Sequence, residues 1–291
     1  MLLSEIKTSL PIGLTGYRPL MNPAKASHRG GVAVLVKSHL FRYVKNIDRS
    51  YENILTFQLS FLPNFVFVLC YITPSDSPYY DKAIFGQLHS IIVENYSRDI
   101  MIFGDLNARF EARALNDETA ALSYNVSEDE LFNANGRKLV QLCKDNKLAV
   151  INNLCYGEKI FQSKLSFRKG KKWISELDYC IVTSSTLQYV EKFEMLQNAA
   201  NGMNFPSDHA MLSVTLDVSR AAQHDLTDLR LRARDLGRSV YDEEPERLRS
   251  TINVANVDTT KLKLILEETH HRITLIVTKQ LQTSSRNQTY S

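Results

Sequence analysis

One short segment combines side chains that suit a hard metal cation and a phosphate. The run Ile100–Phe103 is apolar, ends at Gly104, and is followed by Asp105 and Asn107. Because strand side chains alternate, Asp105 and Asn107 should project from the strand's carboxyl end on the same side. A carboxylate beside an amide suits a hard cation, or a water and a phosphoryl oxygen between them. Since Gly, Asp and Asn all favour turns, a simple turn is the alternative interpretation.

A second segment pairs an acid with an imidazole. Asp208 and His209 stand in the sequence Pro-Ser-Asp-His-Ala, directly before an apolar run. Such a pair can combine a cation-facing carboxylate with a general acid/base, although a solvated loop also explains it. Asp178 is an acidic residue inside the strand-like run Glu176–Val182. A buried carboxylate needs a compensating partner, so we expect Asp178 to orient His209.

Two further residues gain meaning only together with these. Tyr71 lies where a strand enters a polar, proline-rich loop, and Glu5 follows a short apolar run. Alone, they would be a core aromatic and a surface charge. Taken in chain order, the whole set resembles the motif series of the endonuclease/exonuclease/phosphatase superfamily: Glu5, Tyr71, Asp105, Asn107, Asp178, Asp208 and His209. The resemblance covers roughly residues 1–218. The superfamily includes abasic-site nucleases, DNase I type enzymes, sphingomyelinases and inositol-polyphosphate phosphatases.

Within that superfamily, the chain is most similar to the endonuclease domain of non-LTR (LINE-type) retrotransposon proteins. The segments that carry this likeness are Ser4–Lys7, Gly16–Pro19, Arg29–Val34, Asn135–Leu139, Asn152–Leu154 and Phe167–Asp178. The resemblance implies hydrolysis of DNA phosphodiester bonds. Family members begin with a strand that carries a metal-site Asn upstream of the Glu motif. No equivalent precedes Glu5, so we expect a domain that lacks the family's first strand.

The resemblance also implies a role for each site residue. It implies Mg²⁺, with Mn²⁺ as the alternative ion, at a metal site formed by Glu5, Asp105, Asn107, Asp208 and His209. Asp105 would orient or deprotonate the attacking water, while Asn107 and His209 would contact phosphoryl oxygens. Asp178 would fix the His209 ring, and Tyr71 would hydrogen-bond a phosphate oxygen. One cation with fixed donors suits the charge that builds on phosphate oxygens during hydrolysis.

The expected substrate depends on a basic run just before the Asp178 strand. Its members are Arg168, Lys169, Lys171, Lys172 and Trp173. Lys and Arg can follow a phosphate backbone while Trp stacks or wedges, although a solvated hairpin tip over a core Trp is the alternative. DNA is therefore the expected partner. Two rivals stay open: an inactive retroelement relic that binds nucleic acid or protein, and a phosphatase or phosphodiesterase of the same superfamily.

Composition is that of an ordinary globular protein, with 44% hydrophobic and 23% charged residues among 291. This excludes collagens, coiled coils and fully disordered chains. A net charge of only +3 requires a local basic patch for any nucleic-acid affinity. The four cysteines lie in apolar runs without a CxxC pair, which favours reduced, buried thiols over disulfides or zinc ligation.

The apolar stretch Ile54–Ile72 is interrupted by polar residues and predicts two strands joined by a turn at Pro63-Asn64 instead of a membrane span. The start of the chain lacks the basic region of a secretory signal. We therefore expect an intracellular protein, nuclear or cytoplasmic, that is not secreted and has no membrane partner.

Strand-like runs alternate with two segments of helical period, Tyr80–Tyr96 and Asn135–Asn146. They predict an α/β fold: a four-layer α/β sandwich of two mostly antiparallel β-sheets packed face to face and flanked by helices. This domain should span residues 1–218. Residues 219–291, with interleaved Arg and acidic residues, predict a helical linker or tail, partly disordered, with an amphipathic helix from about Asp258 to Lys279. The tail resembles the stretch that joins such a domain to a reverse transcriptase, which a longer parent protein could supply.

Overall fold

The computed structural model describes residues 2–4, 15–23, 30–116, 122–197, 207–221 and 272–279, the first and last of these ranges as backbone only. The α-helices of these ranges are α1 (Ile84–Glu94) and α2 (Ala134–Asp145). The strands are β1 (Leu2–Ser4), β2 (Tyr17–Asn22), β3 (Val32–Lys37), β4 (Val44–Asp48), β5 (Ile54–Leu59), β6 (Leu62–Cys70), β7 (Asp99–Asp105), β8 (Ser123–Tyr124), β9 (Leu148–Val150), β10 (Leu154–Tyr156), β11 (Lys159–Phe161), β12 (Phe167–Lys169), β13 (Lys172–Ser175), β14 (Asp178–Thr183), β15 (Val190–Leu196), β16 (Met211–Asp217) and β17 (Arg272–Lys279).

Two six-stranded sheets form the body of the protein. Their strand orders are β4-β5-β6-β7-β14-β9 and β15-β16-β17-β1-β3-β2. Among the described ladders, β6–β7 and β1–β17 are parallel, and the other pairings are antiparallel. The sheets pack face to face, since β1 and β17 contact β7, and β3 contacts β6. Helices α1 and α2 contact each other, and α2 contacts β9. The predicted sandwich is confirmed.

The central strands β6 and β7 are apolar on both faces because they are covered on both sides. Phe65, Phe67 and Phe103 are at most 1% exposed, and Phe65 and Phe67 stack at 6.0 Å. A doubly buried strand shows a continuous apolar run instead of alternation. Helix α2 is amphipathic, with Leu139 and Cys143 buried. The parallel pairing of β6 with β7 and the antiparallel pairing of β7 with β14 bring the C-terminal ends of β6 and β7 and the N-terminal end of β14 to one edge.

The predicted turn at Pro63-Asn64 is wrong. Strand β5 ends at Leu59 and β6 begins at Leu62, which pair with each other, so the turn is at Ser60-Phe61. Pro63 fits inside β6 because the parallel pairing with β7 begins only at Phe65, beyond the residue that lacks an N–H. None of the helices in the described ranges has the length and apolar character needed to cross a membrane.

The predicted helix from about Asp258 to Lys279 is also wrong at its C-terminal end, because Arg272–Lys279 form strand β17. The segment Arg-Ile-Thr-Leu-Ile-Val-Thr-Lys is rich in β-branched residues, which favour a pleated surface over a helix. The remainder of that predicted helix lies outside the described residues. The boundary at residue 218 stays a prediction, but at least β17 belongs to the sandwich.

Three of the cysteines are buried, as predicted: Cys70, Cys143 and Cys180. Cys155 is only partly buried. Burial raises the pKa of the Cys143 thiol to about 12, which keeps it protonated and unreactive at neutral pH.

Candidate active site

Two carboxylates meet at one edge of the first sheet because two antiparallel strands place them opposite each other. Asp105, at the end of β7, is the register partner of Asp178, at the start of β14. On the other side of β7, the Ile72 N–H donates to the Asp105 carbonyl at 2.9 Å. Both acidic residues are 1% exposed. The edge therefore holds two buried carboxylates from parts of the chain more than seventy positions apart.

His209 completes this cluster from the second sheet's side. Its Nδ1 lies 2.7 Å from Asp178 Oδ2, and its Nε2 lies 3.8 Å from Asp105 Oδ2. The imidazole is 2% exposed and packs against the Phe167 ring, with centroids 5.2 Å apart. The short contact is a hydrogen bond in which Asp178 fixes the ring. The distance between His209 Nε2 and Asp105 Oδ2 exceeds hydrogen-bond length, so these two atoms face each other without a direct hydrogen bond.

Asn107 is placed by the loop after β7. Its backbone φ is 45°, its N–H donates to Asp105 Oδ1 at 3.1 Å, and its side-chain Nδ2 donates to the Ile72 carbonyl at 2.8 Å. Residues 106–110 form an irregular loop, and these hydrogen bonds hold Asn107 beside Asp105. An Asn tolerates this left-handed backbone better than most residues.

Two glycines allow the strands and helices around the site to approach closely. A Cβ on Gly104, whose φ is 147°, would lie 1.7 Å from the Cys70 carbonyl oxygen. A Cβ on Gly136 would lie 1.9 Å from the Arg109 carbonyl oxygen. The first contact brings β6 against the end of β7, and the second brings the start of α2 against the loop after Asn107. Any other residue at these positions would push the site apart.

The first turn of α2 supports the Asn107 loop, which the sequence analysis missed. Asn133, the N-cap, accepts from the Gly136 and Arg109 N–H groups and donates to the Asn107 carbonyl at 2.8 Å. Asn135 is fully buried, and its Nδ2 donates to the Thr73 carbonyl at 3.1 Å and the Asn107 carbonyl at 3.3 Å. The only signal was that Asn135 opens one of the segments that resemble retrotransposon nucleases.

Ser166 joins strand β14, which carries Asp178, to the segment before β16 that carries His209, and it too was missed. Its Oγ accepts from the backbone N–H groups of Leu177 at 2.8 Å and Asp178 at 3.0 Å. Its carbonyl accepts from the Ala210 N–H at 2.6 Å, and the next residue, Phe167, pairs with His209 as a β-bridge. Ser166 is fully buried. One short segment therefore fixes the acid and the histidine relative to each other.

A second polar network lies beneath the site. Arg109 binds Asp129 through two nitrogens, at 2.8 and 2.7 Å, and Asp129 accepts from the Glu176 N–H at 3.0 Å. The Glu176 carboxylate accepts from Asn152 at 2.7 Å and from Ser127 at 3.0 Å. Burial raises the pKa of Glu176, and the hydrogen bonds it accepts oppose that rise. The network anchors the residues that precede Asp178.

The remaining predicted site residues occupy different positions. Tyr71 directly follows β6 and is 5% exposed, at the same sheet edge as Asp105. Asp208 is exposed, and its carbonyl accepts from the Arg168 N–H at 2.8 Å. Glu5 lies outside the described residues. The structure thus brings together Asp105, Asn107, Asp178 and His209, with Tyr71 and Asp208 beside them.

The basic run forms a hairpin, β12 and β13, with Gly170 at its tip at a φ of 63°. We call residues 168–173 the basic hairpin. Its three lysines, Lys169, Lys171 and Lys172, are exposed. Arg168 instead donates to the Ser207 carbonyl at 3.0 Å, and its guanidinium lies 5.8 Å from the centre of the Trp173 ring. Trp173 is half-buried and packs against the core, so both interpretations of this residue stay open.

The donor set fits a divalent cation. Ligand atoms of Asp105, Asp178 and His209 all lie within 4.8 Å of one another. The buried Asp178 Oδ1 has no hydrogen-bond partner among the described residues, although a buried carboxylate oxygen normally has one. Carboxylate oxygens are what Mg²⁺ prefers. Asp178 Oδ2 is already hydrogen-bonded to the imidazole, so the second carboxylate of the cluster is that of Asp105.

Comparisons with known proteins place this geometry in a known fold. No family model matches the sequence, and no curated protein matches it. The 3'-5' exonuclease NExo from Neisseria meningitidis is similar over 74% of this chain and 88% of its own, with a TM-score of 0.53 and 14% identity. An AP endonuclease from Archaeoglobus fulgidus is similar over 74% and 88%, with a TM-score of 0.50 and 11% identity. The endonuclease domain of TRAS1, a telomere-specific non-LTR retrotransposon, is similar over 68% of this chain and 78% of its own, with a TM-score of 0.44 and 15% identity. The first two likenesses establish a common fold.

Proposed function

Since the chain has the fold of the endonuclease/exonuclease/phosphatase superfamily, we propose that it is a Mg²⁺-dependent endonuclease that hydrolyses DNA phosphodiester bonds. The observation that carries the proposal is the buried cluster of Asp105, Asp178 and His209 at one sheet edge. The fold supports a phosphodiesterase type of enzyme, and the cluster offers the acid and imidazole groups that such a reaction needs.

Hydrolysis of a phosphodiester requires a water to lose a proton as it attacks phosphorus. The deoxyribose oxygen leaves with the electron pair of the broken P–O bond and takes up a proton from solvent water. Asp105 accepts the proton of the water, because its carboxylate is fixed by the Asn107 N–H at 3.1 Å. His209, held by Asp178 at 2.7 Å, donates from Nε2 to a phosphoryl oxygen. Asn107 is a second donor, and Tyr71 a third.

The cation would be held by Asp105, together with Asp208 and with Glu5, which lies outside the described residues. When bound, Mg²⁺ supplies positive charge to the phosphoryl and leaving oxygens as negative charge builds on them. Mg²⁺ usually takes one or two carboxylates together with water and phosphate oxygens. The protein's own contribution is the fixed geometry of the acid, the amide and the imidazole.

DNA is the substrate we propose because the basic hairpin stands directly beside the site. Arg168 pairs through its backbone N–H with the Asp208 carbonyl, so the hairpin begins next to His209. The exposed lysines beyond it offer positive charge to a phosphate backbone. With a net charge of +3, the rest of the chain adds little long-range attraction, so binding should depend strongly on salt.

The test measures the rate at which the chain nicks supercoiled plasmid, once with Mg²⁺ and once with the metal removed by EDTA. The wild-type chain should nick only with the metal, and His209→Ala and Asp105→Ala should each lose about 10²–10³ in rate or more while staying folded. Matched controls are His89→Ala and Asp145→Ala, both at exposed positions on α1 and α2, which should nick normally. Equal rates for the site variants and the wild type would overturn the mechanism. DNA binding without nicking would indicate the inactive relic, and hydrolysis of inositol phosphates or sphingomyelin alone would indicate the phosphatase or phosphodiesterase.

A further inference from the structure

Strand β17 occupies the middle of the second sheet, although it comes from the far end of the chain. Six of its residues pair antiparallel with β16, from Arg272 opposite Asp217 to Val277 opposite Leu212. Three pair parallel with β1, from Val277 opposite Leu2 to Lys279 opposite Ser4. Without β17, the sheet would divide into β15-β16 and β1-β3-β2, each with a new unpaired edge.

The register matches the buried face of the neighbouring strand. Every second residue of β17, namely Ile273, Leu275 and Val277, stands opposite Leu216, Val214 and Leu212, which are at most 1% exposed. The intervening positions stand opposite residues of β16 that are more exposed on average. A slip of one residue would exchange the two sets, so the alternation specifies this register. Across the sandwich, β17 contacts β7, the strand that ends in Asp105.

The same register places the C-terminal end of β17 at the site's edge of the sheet. Lys279 is opposite Ser4, the residue before Glu5 in the sequence, while Val277 is opposite Leu212. Strand β16 begins two positions after His209. Strand β17 therefore joins the strand that leads into the predicted metal ligand to the strand that follows the histidine.

We propose that Arg272–Lys279 is a positioning strand of the active site, donated by the same chain, and that the C-terminal segment is part of the enzyme instead of a linker. The active-site half of the inference rests on the proposed function. The strand pairing itself does not.

The pairing is tested by disulfide trapping in the full chain. Thr215→Cys with Thr274→Cys places two thiols directly opposite each other. The Cα atoms of antiparallel partners lie about 4.5–5.5 Å apart, within the range of about 4.4–6.8 Å that a disulfide spans. The control, Thr215→Cys with Thr278→Cys, places the second thiol four residues further along β17. On oxidation, the first pair should form an internal cross-link, confirmed by peptide mass mapping, and the control should not. Equal cross-linking of both pairs, none in either, or a link between two chains would overturn the proposal.

The positioning role is tested by a second pair of variants. Val277→Asp puts a charge at the position opposite buried Leu212, whereas Thr278→Asp puts the same charge one residue along, on the other face of the strand. We expect Val277→Asp to remove hydrogen-exchange protection from residues 272–279 and to raise the Mg²⁺ concentration for half-maximal nicking about tenfold or more.

In the same measurements, Thr278→Asp and the conservative Val277→Ile should leave both protection and Mg²⁺ dependence near wild type. Retained protection in Val277→Asp, equal loss in Thr278→Asp, or lost protection with an unchanged Mg²⁺ requirement would contradict the role. If the wild-type chain does not nick plasmid, the proposed function fails, while trapping and exchange still decide whether the strand is inserted.

Discussion

Replacing Ser166 with alanine removes one hydroxyl that holds two buried amides of the catalytic strand. The Ser166 Oγ accepts from Leu177 at 2.8 Å and from Asp178 at 3.0 Å, and the residue is 0% exposed. Alanine leaves both N–H groups without an acceptor in a position closed to bulk water. Each unsatisfied buried donor costs about 1–3 kcal/mol, so the free energy of unfolding should fall by about 2–6 kcal/mol.

The loss can be measured by urea unfolding followed through the fluorescence of Trp173, the single tryptophan. The matched control is Ser184→Ala, since the Ser184 hydroxyl is exposed and donates to the Lys147 carbonyl at 3.2 Å, where water can replace it. The control should unfold within about 0.5 kcal/mol of wild type. If Ser166→Ala did the same with an unchanged m-value, the hydroxyl would not be holding the strand and the reasoning would fail.

Ser166→Ala should also lower the rate of nicking, in addition to its effect on the free energy of unfolding. The backbone carbonyl of residue 166 still accepts from Ala210 in this variant, but the lost Oγ contacts to Leu177 and Asp178 free the start of β14 and so disturb the alignment of Asp178 with His209. A displacement of about 1 Å can cost about 10²-fold in rate. At a temperature where the variant is folded, kcat should fall while KM for plasmid stays near wild type. A lower affinity with unchanged kcat would contradict a positioning role.

Gly104→Ala should lower the free energy of unfolding by about 3 kcal/mol or more, because its Cβ would lie 1.7 Å from the Cys70 carbonyl oxygen; a soluble variant of wild-type stability would contradict the close approach. Burial raises the pKa of Glu176 above its usual 4.5, so the folded state holds a proton that the unfolded state has lost, and the wild-type free energy of unfolding should decline as pH rises from about 4.5. Urea titrations at several pH values should show no such decline in Glu176→Gln. Replacing the three lysines of the basic hairpin with serine should weaken the salt dependence of DNA binding. The slope of the logarithm of the DNA association constant against the logarithm of the salt concentration should fall in size by about 0.9 per lost phosphate contact, whereas exposed Lys45→Ser should not change it.

The sequence predicts well those elements whose pattern is set locally. Runs such as Ile100–Phe103 and the amphipathic period of Asn135–Asn146 appear as β7 and α2. Asp105, Asp178 and His209 could be singled out by residue type and position, but only the ordered resemblance favoured a site over a turn or a solvated loop. Their meeting point was expected from the resemblance, since local sequence does not reveal which strands become neighbours.

Residues whose role depends on tertiary contacts were not predictable. Ser166 stands in an ordinary Leu-Ser-Phe sequence, and only the folded chain brings two amides to its hydroxyl. Asn135 is similar, because the carbonyls that it binds belong to other segments. Strand β17 was misassigned because Ile276 interrupts the alternation of Ile273, Leu275 and Val277, so the run fits helical and strand periods alike until its neighbours are known.

The link between the basic hairpin and the histidine has a consequence for how the molecule could be re-engineered. Arg168 makes two hydrogen bonds to the segment before His209: its backbone N–H donates to the Asp208 carbonyl, and its guanidinium donates to the Ser207 carbonyl. A loop exchange meant to alter target choice would therefore disturb turnover as well, unless the graft retained this arginine. On the proposed function, the base of the hairpin and the placement of the histidine are therefore linked through Arg168, whereas the tip at Gly170 can change without touching either contact.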